Sequence, residues 1–314
     1  MTLTQLSAFV LVARLGSVTA AARALGVSEP AVSQALAALR RHLGDDLLHR
    51  TAQGMTLTPG GSRLLAVASQ MVALSSEAEN AVRAARGAPE PLRVVAASVI
   101  MEFVVTPLTE AFTAQLGSTV ETSSAVATEE QMPVLVANRL ADIALGPPPP
   151  RDLLPGLHTE PVFRCRLIAV AAPARLTGPP TGWPWLVDPS GTDPTSDTSR
   201  LLHLLRVPER HVRVFASQTA AWEAAAAGAG VAAATAHLVT GRLQRGELRQ
   251  VDTAATPLPA DWYATTVAAD RRPPAATSLL RFLTTPRAMQ LLRSPGGGVP
   301  PSRFRPPVHV TIWR

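Results

Sequence analysis

The sequence predicts an α/β chain with an all-α head, and three observations carry that expectation. Apolar residues repeat at helical spacing between Leu3 and Leu43, one helical stretch runs from Pro59 to Arg86, and from Leu92 onward short apolar strands alternate with helices. The length of 314 residues, 46% of them hydrophobic, suffices for two or three domains with a sizeable core and excludes a disordered chain.

In the head, Leu3, Leu6, Phe9, Val10 and Ala13 mark a first helix that Gly16 ends, and Thr19 to Leu25 forms a short second one. Gly26-Val27-Ser28 is a tight turn whose Ser28 hydroxyl can cap the third helix, with Pro30 placed early, where a missing N–H costs little. There Val32, Leu36, Leu39 and Leu43 face inward, leaving Glu29, Pro30, Ser33, Gln34, Arg40 and Arg41 outward. Two helices joined by a short Gly-containing turn, the second with a polar exposed face, form a helix-turn-helix. Leu47-Leu48-His49-Arg50, a polar tip at Thr51-Ala52-Gln53-Gly54 and Met55-Thr56-Leu57 then read as a β-hairpin wing.

Thr58 caps the next helix and Pro59 opens it; at roughly 28 residues it is roughly 42 Å long. Leu64, Ala68, Met71, Ser75, Ala78, Val82 and Ala85 step along it by four and three, a heptad seam whose economical partner is a second copy of itself. Gly87-Ala88-Pro89-Glu90-Pro91 breaks the chain as a hinge.

Strands are then expected at Leu92 to Ala97, Thr119 to Ala125 and Asp142 to Leu145, with helices at Pro107 to Leu116 and Thr128 to Leu140. A second lobe repeats the pattern with strands at Val162 to Ala171, Trp185 to Asp188, Val212 to Phe215 and Gly230 to Ala233, and a helix at Thr219 to Ala227. Such alternation implies a largely parallel sheet. Trp262 to Ala269 carries the chain back toward the first lobe, Ser278 to Leu292 is a last helix, and the Pro- and Gly-rich tail from Ser294 reads as disordered or, at Val308 to Trp313, as a short docked strand.

Composition narrows the function. All 29 basic residues are arginine, and the net charge of +6 permits a polyanionic partner without requiring one. A single cysteine, Cys165, excludes a disulfide framework and fits a reducing, cytoplasmic setting; no cofactor or metal is expected. The start Met1-Thr2-Leu3-Thr4-Gln5 lacks the basic region of a secretory leader, and no uncharged run approaches the roughly 18 apolar residues of a membrane span. No GxSxG or Gly-rich phosphate loop follows a strand, and the histidines are scattered, so catalysis has no constellation to rest on.

At these positions the sequence resembles the LysR-type transcriptional regulators. The likeness is carried by Leu6, Phe9, Ala21-Ala22, Leu25, Ser28, Pro30, Ser33, Leu39, Leu43-Gly44, Leu48, Arg50 and Leu57-Thr58-Pro59-Gly60-Gly61, and further on by Leu92-Arg93-Val94-Val95, Leu140 to Leu145, Trp222 to Ala232 and Gly246-Glu247-Leu248. It departs at Glu29, Arg40, Leu48 and Gln53, where the family usually has Gln, Glu, Phe and Arg. The resemblance implies a winged helix-turn-helix over 1–58, a dimerising linker helix over 59–86, a hinge at 87–91 and, over 92–293, a two-lobed Rossmann-like effector domain of the type 2 periplasmic-binding-protein kind. Lobe I is expected at about 92–161 and 268–293, lobe II at about 162–267, and the tail at 294–314. It also implies a homodimer, joined into a dimer of dimers. A solute-binding protein of the periplasmic type is the other reading of the two lobes, disfavoured by the helix-turn-helix ahead of them. An enzyme with a DNA-binding head is a third, and it would need a catalytic constellation that the sequence does not show.

Candidate sites follow. Ser33 and Gln34, near the start of the second helix of the motif, are placed to reach base edges in the major groove of double-stranded DNA, Gln34 best matching adenine. Arg50 holds a phosphate or pairs with Asp45 or Asp46, while Ser28 and Thr58 are caps first and phosphate contacts second. The head, residues 1–86, carries eight arginines against five acids, a net of +3 and a thin electrostatic footprint that oligomerisation would multiply. Leu64, Ala68, Met71, Ala78 and Val82 are the expected dimer contacts. Ligands of open α/β sheets sit beyond strand ends, which nominates Ser98, Thr128, Gly146, Thr192 and Asp193 for a small-molecule effector, a small mono-carboxylate or a hydroxylated aromatic; Ser98 and Thr128 also match positions where the family lines its cleft. The bland alternative is that these hydroxyls only serve turns and caps.

Overall fold

The computed structural model describes residues 1–51, 54–149, 156–173 and 176–293. The expected wing tip at Ala52-Gln53 and the whole tail 294–314 lie outside the described residues.

The head follows its local signals closely. Helix α1 (Leu3–Leu15) opens on a reciprocal cap between Thr2 and Gln5 and ends at Gly16, whose φ of 65° favours glycine. Helix α2 (Val18–Leu25) is capped by the Ser17 hydroxyl, and α3 (Glu29–Leu43) by Ser28, which accepts the Ala31 N–H at 3.4 Å. Val32, Leu36 and Leu39 are buried as expected, whereas Leu43, on the last turn of α3, stays exposed. The wing is β1 (Leu48–Thr51) paired antiparallel with β2 (Gly54–Leu57), Leu48 opposite Leu57. Helix α4 (Pro59–Ala85) leaves directly from it. A Cβ at Gly61 would lie 2.1 Å from the Leu47 carbonyl oxygen, so the close approach of α4 to the wing requires glycine there.

Strand β3 (Glu90–Ala96) begins inside the expected hinge, which shrinks to the residues before Glu90. The helix expected from Pro107 starts earlier: α5 (Ser98–Ile100), a π-helical stretch at Met101–Val105 and α6 (Thr106–Leu116) run on as one rod. The wider π register precedes Pro107, so the proline sits in the first turn of α6, where its missing N–H is tolerated. By length and hydropathy this rod could cross a membrane, yet Glu102 and Glu110 interrupt it and Phe103, Val104, Val105, Leu108 and Phe112 are buried in the core. Strand β4 (Val120–Val126) follows, then α7 (Gln131–Ala137), shorter than expected because Arg139 takes a left-handed φ of 59° and the Asn138 side chain bonds back to the Val134 carbonyl.

Strand β5 (Ile143–Gly146) completes the parallel part of lobe I. The single strand expected over Val162 to Ala171 is two: β6 (Leu157–Phe163) in lobe I and β7 (Arg166–Ala171) in lobe II, with the chain crossing between them. Lobe II then adds β8 (Trp185–Val187), α8 (Asp197–Leu204), β9 (Val212–Val214), α9 (Gln218–Ala226), β10 (Val231–Thr235), α10 (Thr240–Gln244), β11 (Arg249–Val251) and the short β12 (Leu258–Pro259). Strand β13 (Trp262–Val267) belongs to lobe I, between β5 and β6, so the return crossing precedes Trp262. The last expected helix is also two, α11 (Pro274–Leu283) and α12 (Pro286–Arg293), because Pro286 cannot extend α11 and opens a new helix instead.

Both sheets are mixed, which corrects the expectation of largely parallel ones. Lobe I is ordered β4-β3-β5-β13-β6 and lobe II β11-β7-β10-β8-β9, with β12 on β7; the strands that cross between lobes enter antiparallel. Helix α1 has Leu6 and the run Ala8 to Val12 buried on all sides, because α2, α3 and α4 cover part of it and α7 of lobe I touches the rest.

Candidate functional site

On the head, Ser28, Pro30, Ser33 and Gln34 share the exposed face of α3. The cap at Ser28 fixes where α3 begins, and one turn further on Ser33 and Gln34 are exposed to solvent. Arg50 pairs with Met55 across the hairpin; its side chain lies outside the described residues. Thr58 does not belong to this face. It is buried, its hydroxyl accepts the Gly61 N–H at 2.8 Å and donates to Asp45 Oδ1 at 2.8 Å, so no hydrogen remains for a phosphate. The Asp45 carboxyl is held below its ordinary pKa, first by the Leu47 N–H and then by Thr58.

The linker helix has two apolar faces. Leu65, Ala68 and Val72 are buried with the core of the head, so Ala68 leaves the expected seam and Leu64 is only half-exposed. Val67, Met71, Leu74 and Val82 remain exposed with Ala78 beside them, a stripe that keeps Met71, Ala78 and Val82 of the heptad reading and has Val67 and Leu74 in place of Ala68 and Ser75. The far half of α4 is tied to lobe I: Arg93 Nη1 donates to Ser76 Oγ at 3.0 Å, and Arg139 Nη2 pairs with Glu77 at 3.1 Å.

Between the lobes lies a cleft of about 430 Å³. The start of the Ser98–Leu116 rod supplies Ser98, Val99 and Ile100; the approach to α7 supplies Thr128, Glu129 and Gln131; lobe II supplies Ser190, Asp193, Ser196 and Asp197; Trp262 and Leu135 give apolar wall. Arg23 and Ala24 of α2 also reach its edge, so the head stands at the mouth of the cleft. Ser98 opens a helix whose first turn has no side-chain cap. Thr128 forms a reciprocal cap with Gln131: its Oγ1 accepts the Gln131 N–H at 3.3 Å while its own N–H donates to Gln131 Oε1 at 3.1 Å. The cleft brings together Ser98, Thr128 and Asp193 of the five expected residues. Thr192 is excluded, since it is exposed and donates to the Pro189 carbonyl at 2.8 Å, and Gly146 is excluded because it packs beneath Met132, whose Cε would be 2.7 Å from a Cβ there.

Three acidic residues with a part in this region escaped the sequence reading. Glu129 is pushed up to about 8, foremost by burial and then by Asp197 and Asp193. Asp197 is raised by burial, against the pull of Arg200, which it meets at 3.0 Å. Glu102, inside the π-helical stretch and 1% exposed, accepts the Gln218 and Thr219 N–H groups at 3.0 Å each, so a lobe I carboxylate caps a lobe II helix; burial raises its pKa despite those bonds. The available signal was an acid beside a capping residue: Glu129 follows Thr128, where a helix was expected, and Asp197 follows Ser196, the cap of a helix that the sequence had not suggested. Among the described residues, no group of three or more His, Cys, Asp and Glu stands close enough to hold a metal ion.

A head with an exposed recognition helix, a helix bearing a spare apolar stripe and two lobes around a cleft define a ligand-responsive DNA-binding regulator. Comparison with known proteins agrees. Residues 3–62 match the model of the bacterial regulatory helix-turn-helix protein, lysR family, and residues 85–286 that of the LysR substrate binding domain. An uncharacterised HTH-type transcriptional regulator of Mycobacterium tuberculosis is 34% identical over 323 residues, with all of both chains covered, and CfxR of Cupriavidus necator is 28% identical over 313 residues, covering 96% of this chain and 97% of its own. The full-length regulators AphB (21% identity, TM-score 0.56, 90% of this chain and 98% of its own) and LysG of Corynebacterium glutamicum (22% identity, TM-score 0.52, 96% and 100%) share the fold. The chain belongs to the LysR family: it is a transcriptional regulator with a helix-turn-helix DNA-binding domain and an effector-binding domain.

Proposed function

We propose that this regulator reads double-stranded DNA through Ser33 and Gln34 of α3, assembles as a homodimer through the exposed stripe of α4 with a dimer of dimers as the higher form, and changes its promoter occupancy when a small molecule enters the cleft between the lobes. It works in the cytoplasm without catalysis and without a cofactor. The observation that carries the reading is the position of the cleft: its wall holds Thr128 and Glu129, which lead into α7, and Gln131, which opens it, and the same α7 packs on α1 of the head, while Arg23 of α2 stands at the mouth. A ligand that alters how the lobes close around Glu129 therefore acts on elements that touch the head directly. Footprinting on the DNA that flanks its own gene, with and without pools of small metabolites, tests this. A protected, roughly palindromic site whose occupancy or extent changes with one pool is expected. Protection that no pool alters would remove the cleft from regulation, and no protection would remove the DNA reading.

A further inference from the structure

Helix α9 belongs to lobe II, since its Gln218 Nε2 and Trp222 Nε1 both donate to the Ala233 carbonyl of β10, at 2.9 and 3.0 Å. Its first turn is nonetheless completed by lobe I. The Ser217 hydroxyl serves the Ala220 N–H from within lobe II, whereas the Gln218 and Thr219 N–H groups donate to Glu102 Oε2 and Oε1, at 3.0 Å each. The next residue of the rod, Phe103, stacks on Trp222 of the same helix, with ring centroids 5.1 Å apart and planes 21° from parallel. Glu102 and Phe103 both lie in the π-helical stretch, a rare geometry that recurs at functional sites. This contact borders the cleft without entering it: Ser98, Val99 and Ile100, one turn earlier on the rod, and Gln218 of α9 line the cleft.

The chemistry of the contact suits a joint that opens. An apolar pair would make a permanent interface at lower cost, because a carboxylate loses its water on burial. Glu102 is 1% exposed, and burial raises its pKa in spite of its two backbone hydrogen bonds, with the carboxylate of Asp188 in lobe II adding to the rise. Asp188 is itself fully buried, and its Oδ2 has no hydrogen-bond partner among the described residues. Parting the lobes returns Glu102 and the two α9 amides to water, so closure is balanced rather than fixed. We infer that Glu102 and Phe103 are positioning residues, a latch that holds lobe II on lobe I in the absence of effector and so sets how much effector the promoter response requires. The inference rests on the reading of the cleft as the effector site and adds to it a pair of residues that do not line the cleft.

Hydrogen exchange on the full-length protein, read by mass spectrometry on overlapping peptides, tests the latch without any ligand. In the parent the Gln218 and Thr219 amides should exchange slowly although they stand at a helix start. Glu102→Gln keeps the shape but has one acceptor oxygen, so one of the two amides should exchange at least about tenfold faster. Phe103→Leu leaves both hydrogen bonds in place, yet it should speed both amides because the latch opens as a unit, while β10 of lobe II and β3 of lobe I keep parental rates. In footprinting, Glu102→Gln should need about tenfold more of the metabolite pool that alters the parent's footprint, since binding must then also close the cleft. Parental exchange in Glu102→Gln, or an acceleration that Phe103→Leu does not reproduce, would reduce the contact to a static cap and overturn the latch while the effector reading stands. An unchanged pool requirement would likewise overturn it. If no pool alters the parent's footprint, the effector reading fails, and the exchange pattern still decides whether the lobes are latched.

Discussion

Replacing Asp142 with alanine should cost this protein more stability than any surface change. Arg93, 9% exposed, donates its backbone N–H to Asp142 Oδ2 at 2.8 Å, its Nε to the same oxygen at 2.9 Å and its Nη2 to Oδ1 at 2.7 Å, while Asp142 itself is 3% exposed. Because Nη1 of the same arginine holds Ser76 of α4, the pair joins β3, the entry to β5 and the linker helix. Removing the carboxylate takes from Arg93 the acceptor of its backbone N–H and of two guanidinium N–H groups, all buried, a loss of about 3–5 kcal/mol. At about 2–4 °C per kcal/mol for a domain of this size, the melting temperature should fall by about 6–20 °C. Thermal unfolding followed by circular dichroism reads this directly, and raising the salt should not mask it because the pair is shielded from solvent. The double variant Arg93→Met with Asp142→Leu removes the buried charge and should recover most of the loss, leaving about 1–3 kcal/mol for the backbone N–H. A single variant that melts within about 1 °C of the parent, or a double variant no better than the single, would refute the reasoning.

Two further outcomes are expected. Met71→Glu with Val82→Glu places charge on the exposed stripe of α4 and should convert the oligomer to monomers in sedimentation velocity; an unchanged oligomer would take that stripe out of the interface. His237 is packed edge-on against Phe163 and Trp262, and burial lowers its pKa to about 4 from the ordinary 6.5. The neutral ring is thus the one that fits, so its contribution is full above pH 6.5 and is lost as the pH falls toward 4. His237→Phe should flatten stability over that interval in urea titrations, and an unchanged slope would assign the acid sensitivity elsewhere.

The head was legible because its signals are local. Each of Ser28, Gly26 and Gly44 acts within a few residues of itself, so helix boundaries fell within a residue or two of expectation. The lobes were legible in kind but not in connection. The stretch Val162 to Ala171 reads as one strand interrupted by Arg164 and Arg166, and only pairing with β13 assigns its first part to lobe I. The stripe on α4 keeps Met71, Ala78 and Val82 of the expected seam but runs through Val67 and Leu74 instead of Ala68 and Ser75, because periodicity shows that a helix has apolar faces and not which of them its own chain covers. Ser98 and Thr128 were expected at the cleft from strand ends and do line it, whereas Glu129 and Asp197 were missed because only the packing of the two lobes brings residues so far apart in the chain to one cavity.

The central claim, that α3 reads base edges, is tested most directly by comparing the parent with Gln34→Ala on the footprinted duplex and on a random one, by fluorescence anisotropy at one fixed salt concentration. Gln34 is exposed and outside the core, so the variant should fold as the parent does. The specific complex should weaken by about 1–3 kcal/mol while the random one is left nearly unchanged, since phosphate contacts carry that binding. Equal affinity of variant and parent for both duplexes would contradict it.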